Sequence, residues 1–150
     1  MNLLYETARH ISDERKFCRD IIDIHWPQHD AQKLATRYGL DYAIVKNSHI
    51  SAFVELKCRK VFSTKYNTLI LNINKLNSAR QLTTNNVKCW LFVRWLDCDG
   101  MLEFGAHFKD YALMMVERSD RDDPQDISPC FEVPICHFKM FTNRSVSHPS

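Results

Sequence analysis

The chain has 150 residues, 45% hydrophobic and 11% aromatic, enough for one folded core and too apolar for wholesale disorder. Its three glycines, Gly39, Gly100 and Gly105, cannot form a GxGxxG, and Ala106 stands where a phosphate loop needs lysine, so Rossmann and phosphate-loop NTPase folds are poor readings. The net charge of +2 hides a split: residues 56–96 carry eight basic groups and no acidic one, while residues 97–126 carry nine acidic and three basic groups.

In chain order, Ser12-Asp13-Glu14 reads as an N-cap and first turn. Phe17, Ile21 and Ile24 then recur at helical spacing, and Pro27 closes the run, so residues 12–26 are expected to be an amphipathic helix. Residues 28–39 are polar and read as a loop or short helical turn ending at Gly39. Residues 40–45 and 50–60 read as strands joined by a turn at 46–49, a hairpin. Residues 67–73 read as a short strand or a helix entry, and 75–84 as a helix that Asn85-Asn86 ends. The dense apolar run 87–96 reads as a buried strand, 97–100 as a turn, and 101–108 as the hairpin partner. Residues 110–116 fit strand or helix, 119–129 an acidic loop, and 131–141 a late strand. Residues 143–150 read as a frayed tail.

No apolar run is long enough for a membrane helix, and residues 1–10 lack the apolar core of a secretory signal. The six cysteines are irregularly spaced with no CxxC, so reduced thiols in a cytoplasm are expected and structural zinc is not. Neither GxSxG nor HExxH occurs.

Chemistry concentrates at Asp41 and Glu55-Leu56-Lys57. If the hairpin turn centres near Ser48, residues whose numbers sum to 96 face each other, and Asp41 lies across from Glu55. Directly opposed side chains have Cβ atoms roughly 4.5–5.5 Å apart. Two bare carboxylates at that range repel, and a divalent cation removes the conflict; hard oxygen ligands suit Mg²⁺ or Mn²⁺. Alternation puts Phe53, Glu55 and Lys57 on one face and Val54, Leu56 and Cys58 on the other. A lysine there can orient a nucleophilic water and offset phosphate charge.

Asp41, a gap of 13 residues, then Glu55-Leu56-Lys57 resembles the PD-(D/E)XK nuclease superfamily, and the order of elements over residues 12–96 resembles its core. Within it, the stretch from Asp41 to Arg94 looks most like small nuclease-like proteins of bacteriophages. Leu40 stands where the name-giving proline would be. The resemblance implies an α/β (α+β) restriction-endonuclease-like core, a central mixed sheet flanked by helices with extra C-terminal strands. It is read as one domain over 1–150, with its core at about 12–108 and an extension at about 109–150. It further implies Asp41, Glu55 and the Leu56 carbonyl as metal ligands and Lys57 as the catalytic lysine. An additional acid would come from the first helix, Glu14 or else Asp20 or Asp23, and Lys75, Arg80 or Gln81 would serve from the helix after the motif. Arg59, Lys60, Lys65, Lys75 and Arg80 are read as backbone-holding groups on DNA. Trp90, Trp95, His25 and His29 are read as packing or surface residues.

Three functions compete. One is a Mg²⁺- or Mn²⁺-dependent nuclease acting on DNA, branched and single-stranded forms included, as a monomer or homodimer. Another is a catalytically silent nucleic-acid binder on the same fold. The third is a small viral inhibitor docking through Asp120, Asp122, Asp123 and Asp126 of the acidic loop 119–126.

Overall fold

The computed structural model describes residues 8–82, 87–103, 111–117 and 127–141. Helix α1 (Ala8–His25) is followed by β1 (Asp30–Lys33), β2 (Tyr42–Lys46), β3 (His49–Cys58), β4 (Thr68–Asn72), α2 (Ile73–Leu82), β5 (Lys88–Arg94), β6 (Asp99–Glu103), β7 (Ala112–Glu117), β8 (Ile127–Pro134) and β9 (Lys139–Phe141). Six strands form a sheet in the order β1-β2-β3-β5-β6-β9, and β4-β8-β7 form a second, antiparallel sheet. Among the described strands of the main sheet, only β3 and β5 run parallel. A parallel pair requires a crossover, and β4 with α2 supplies it.

The main sheet is buried on both faces, which explains why β5 reads as an unbroken apolar run. On one face, Phe17, Cys18, Ile21 and Ile22 of α1 pack on Tyr42, Ile44, Val54, Leu56 and Phe92. On the other, Ala43, Phe53, Leu91 and Val93 pack under Leu76 and Ala79 of α2 and Leu69, Leu71 and Val133 of the second sheet. At about 25 cal/mol per Å² of buried apolar area, such side chains contribute about 1.5–3 kcal/mol each. Arg94 fastens the α1 layer to the sheet. It donates to both oxygens of buried Asp99, each at 3.0 Å, and to Asp20 at 3.1 Å, and lies 4.4 Å from the Phe17 ring.

Three expectations change. The first helix is already formed at Ala8, so Ser12 lies inside it and is not its cap; the residues before Ser12 continue the helical run. Residues 30–33, read as loop, form edge strand β1, whose polar Asp-Ala-Gln-Lys sequence carries no apolar signal. The single late strand over 131–141 divides at Pro134 and the turn Ile135–His137: β8 joins the second sheet and β9 the main one. Pro129 is tolerated in β8 because, among the described residues, β7 alone pairs with it there, β4 reaching only as far as Cys130. The helix end at Asn85-Asn86, most of the hairpin partner 101–108, and the acidic loop 119–126 with its four aspartates lie outside the described residues. Among the described residues no helix is long and apolar enough to cross a membrane. All six cysteines are free thiols.

Candidate active site

The β2–β3 hairpin turns on Asn47 and Ser48, both at positive φ (51° and 63°), the two-residue turn that suits a twisted ribbon. Lys46 pairs with His49 and Val45 with Ile50. Ser51 is then an extra residue, and from Ile44↔Ala52 onward partners sum to 96. The bulge moves the register by one, so Tyr42 faces Val54 and the next step sets Asp41 against Glu55. Asp41 follows this frame: its N–H donates to the Val54 carbonyl at 3.0 Å, and its Oδ2 accepts the Leu56 N–H at 2.8 Å.

Ala43 and Phe53 belong to the apolar cluster under α2, so Asp41, Glu55 and Lys57, at matching parity, face α2 and not α1. Glu55 is 4% exposed. Burial above all, then the Asp41 charge, pushes its carboxyl up from 4.5 to about 8, although Lys75 and Lys57 pull the other way. The Lys57 ammonium is pushed down, chiefly by burial and further by Arg59 and Lys75, against the opposing pull of Glu55 and Asp41. A lysine moved toward neutrality beside an acid moved toward protonation is an arrangement suited to proton transfer at a reacting water.

Lys75 closes the cluster from above. Its Nζ donates to the Gly39 carbonyl at 2.9 Å and lies 3.2 Å from Glu55 Oε2. That oxygen is buried without a well-oriented hydrogen bond. Gly39 makes this approach feasible: it ends the short helix Thr36–Tyr38 at φ 75°, and any Cβ there would run into the Ser78 hydroxyl. The sequence offered Lys75 both as a DNA contact and as the basic residue from the helix after the motif; the structure directs it inward to Glu55. A basic residue in the first turn of α2, where the helix dipole disfavours cations, was the available signal.

The remaining candidates are dispersed. Glu14 is half-buried on the α1 side and pairs with Lys33 at 3.3 Å. Asp20 is held by Arg94 and Asp23 by Arg19 at 2.9 Å. Arg80 and Gln81 lie exposed on α2, and Arg59, Lys60 and Lys65 lie on the segment leaving β3. Trp95 is core, edge-on to Phe138, and His25 packs edge-on against Trp26 and Phe141.

Among the described residues, no three His, Cys, Asp or Glu side chains converge on one metal position. The donors at the motif nevertheless fit a hard divalent cation: an under-satisfied buried Glu55 oxygen, the Asp41 carboxylate, and the Leu56 backbone tied to it.

Comparison with solved structures finds Hjc, a Holliday junction resolvase from the archaeal hyperthermophile Archaeoglobus fulgidus. The TM-score is 0.51 at 12% identity, over 87% of this chain and 92% of that one. The likeness supports a restriction-endonuclease-like fold. No curated protein matches the chain in sequence. The family described as "Phage putative PDDEXK endonuclease" matches residues 2–141, nearly the whole chain, with Asp41 and Glu55-Leu56-Lys57 inside the match. The chain therefore belongs to this phage family of PD-(D/E)XK endonucleases.

Proposed function

We propose that this protein is a divalent-metal-dependent nuclease that hydrolyses DNA phosphodiester bonds at Asp41, Glu55 and Lys57. The observation that carries the reading is the gathering of buried Glu55 with half-buried Asp41 and Lys57 on one sheet face, with the Glu55 and Lys57 proton affinities displaced toward each other. Asp41, Glu55 and the Leu56 carbonyl would hold Mg²⁺ or Mn²⁺, which when bound supplies charge neutralisation at the phosphate and lowers the pKa of water. The Leu56 N–H fixes the Asp41 carboxylate in place. Lys57 orients the attacking water and offsets the charge that develops on the phosphoryl oxygens. Arg59, Lys60 and Lys65 hold the DNA backbone without reading its bases.

The test is incubation with plasmid, linear, branched and single-stranded DNA, with Mg²⁺, with Mn²⁺ and with chelator. Metal-dependent cleavage that disappears in Asp41→Ala and Lys57→Ala is expected; cleavage that survives both substitutions places the site elsewhere. A binding-only protein is favoured by one observation: the Lys75 ammonium already stands 3.2 Å from Glu55, where it can serve as a fixed cation. Calorimetric titration with Mg²⁺ and Mn²⁺ separates the two readings, since a pure binder takes up neither ion.

A further inference from the structure

We propose that the segment leaving β3 carries a stacking platform for unpaired nucleotides, built on Phe62 and Tyr66, so that the substrate includes a single-stranded stretch beside the scissile phosphate. The inference rests on the nucleic-acid reading above.

A groove of about 390 Å³ is lined by Arg59, Lys60, Val61, Phe62 and Ser63, which follow the motif in the chain. Its floor is apolar, with Val61, Leu69, Trp95 and Ile135, and Arg59 and Lys60 stand along it. Val61 packs on the same apolar cluster as Phe53 and Ala43, so the groove lies on the catalytic face of the sheet and not on the α1 side. Phe62 and Tyr66 line it and are 58% and 60% exposed. Two large aromatics open to water along one groove offer ring faces to a partner. Lys65 covers part of Tyr66, its Nζ 5.4 Å from the ring centroid, and leaves most of the ring open.

The platform is ordered in advance. Ser63 donates to Asp97 through its N–H at 2.8 Å and its hydroxyl at 2.6 Å. The Leu96 N–H donates to the Val61 carbonyl and the Lys65 N–H to the Phe62 carbonyl. Stacking on a fixed loop costs less ordering entropy than stacking on a loose one. The charge selects the occupant. Arg59 and Lys60 line the groove, which has no acidic side chain among its described lining residues, and Lys65 stands beside Tyr66, so a polyanion with exposed flat bases fits and an acidic or apolar peptide lacks one half of the match. Duplex DNA keeps its bases stacked inside the helix and offers these rings nothing.

The experiment measures binding of a labelled oligodeoxythymidine and of a hairpin-capped duplex of equal length, at one salt concentration with chelator present. The proteins are the full chain, Phe62→Ala, Tyr66→Ala and Tyr66→Phe. Base–aromatic stacking predicts a loss of about tenfold on the single strand for each alanine variant, less than about twofold on the duplex, and near-complete retention in Tyr66→Phe. Both rings are exposed, so the variants should keep the wild-type melting temperature. Equal losses on the two ligands, or none on the single strand, overturn the platform. Plasmid cleavage by the unaltered chain is scored in parallel. If cleavage is present but single-strand binding ignores the rings, the platform alone fails; if the protein neither cleaves nor binds, the nuclease reading fails with it.

Discussion

Replacing Glu55 with Gln should flatten the dependence of stability on pH. Burial holds the folded Glu55 carboxyl at about 8 against an ordinary value of 4.5, so the folded state binds its proton more tightly than the unfolded chain does. The stabilising contribution is therefore complete below pH 4.5 and is lost as pH rises through about 8. At about 1.36 kcal/mol per pH unit, the interval from 4.5 to about 8 sets a ceiling of about 5 kcal/mol. Gln keeps the shape of the protonated acid and has no charge to bury. The two proteins should melt together near pH 5, and the variant should become more stable as pH approaches 8. For a chain of this size the ceiling corresponds to roughly 10–20 °C in Tm. The Lys57 ammonium feels the Glu55 charge, so the difference between the two proteins reports the pair together. The assay is thermal melting in chelator across this range, followed by circular dichroism. Parallel curves for the two proteins would mean that Glu55 is not a buried acid, and the description of the site would fall with it.

Asp41→Ala removes the acceptor of the Leu56 N–H and should cost about 1–3 kcal/mol in denaturant titration, with Asp41→Asn losing less. Arg94→Met leaves buried Asp99 without its bidentate partner; about 3–5 kcal/mol should be lost, and the double variant Arg94→Met with Asp99→Leu should recover part of it. Gly39→Ala meets both a left-handed backbone and the Ser78 side chain, so it should destabilise by more than about 1 kcal/mol, and Ser78→Gly in the same chain should relieve the steric share.

The hairpin was legible because its signals are local. Apolar alternation over 50–60 marked β3, and the polar stretch 46–49 marked the turn. The opposition of Asp41 to Glu55 followed from a turn assumed to centre on Ser48. The molecule reaches the same register by another route, a tighter turn followed by a bulge at Ser51. Position along the strand was therefore readable where the detailed turn was not. Polar β1 escaped because a half-exposed edge strand needs little apolar sequence. The second sheet escaped because β4 and β8 meet across more than 55 residues, and no short-range pattern encodes such a pairing. The inward path of Lys75 depends on Gly39 meeting Ser78, a tertiary coincidence of the same kind. Asp20 and Glu14 show the converse. Their place on the first helix suggested the site, but each finds a basic partner of its own.

The short loop between Asp41 and Glu55 also has a kinetic side. A hairpin of this span closes in about 1–10 μs, long before strands as distant as β3 and β5 can pair. The two carboxylates therefore first meet in water, where their repulsion is weak. The electrostatic cost arrives only when α2 docks, bringing Lys75 to the Gly39 carbonyl and shutting solvent off from Glu55. Assembly of the site is divided in time: local backbone chemistry draws the acids together early, and the crossover that makes β3 and β5 parallel decides late in what state of charge they are enclosed.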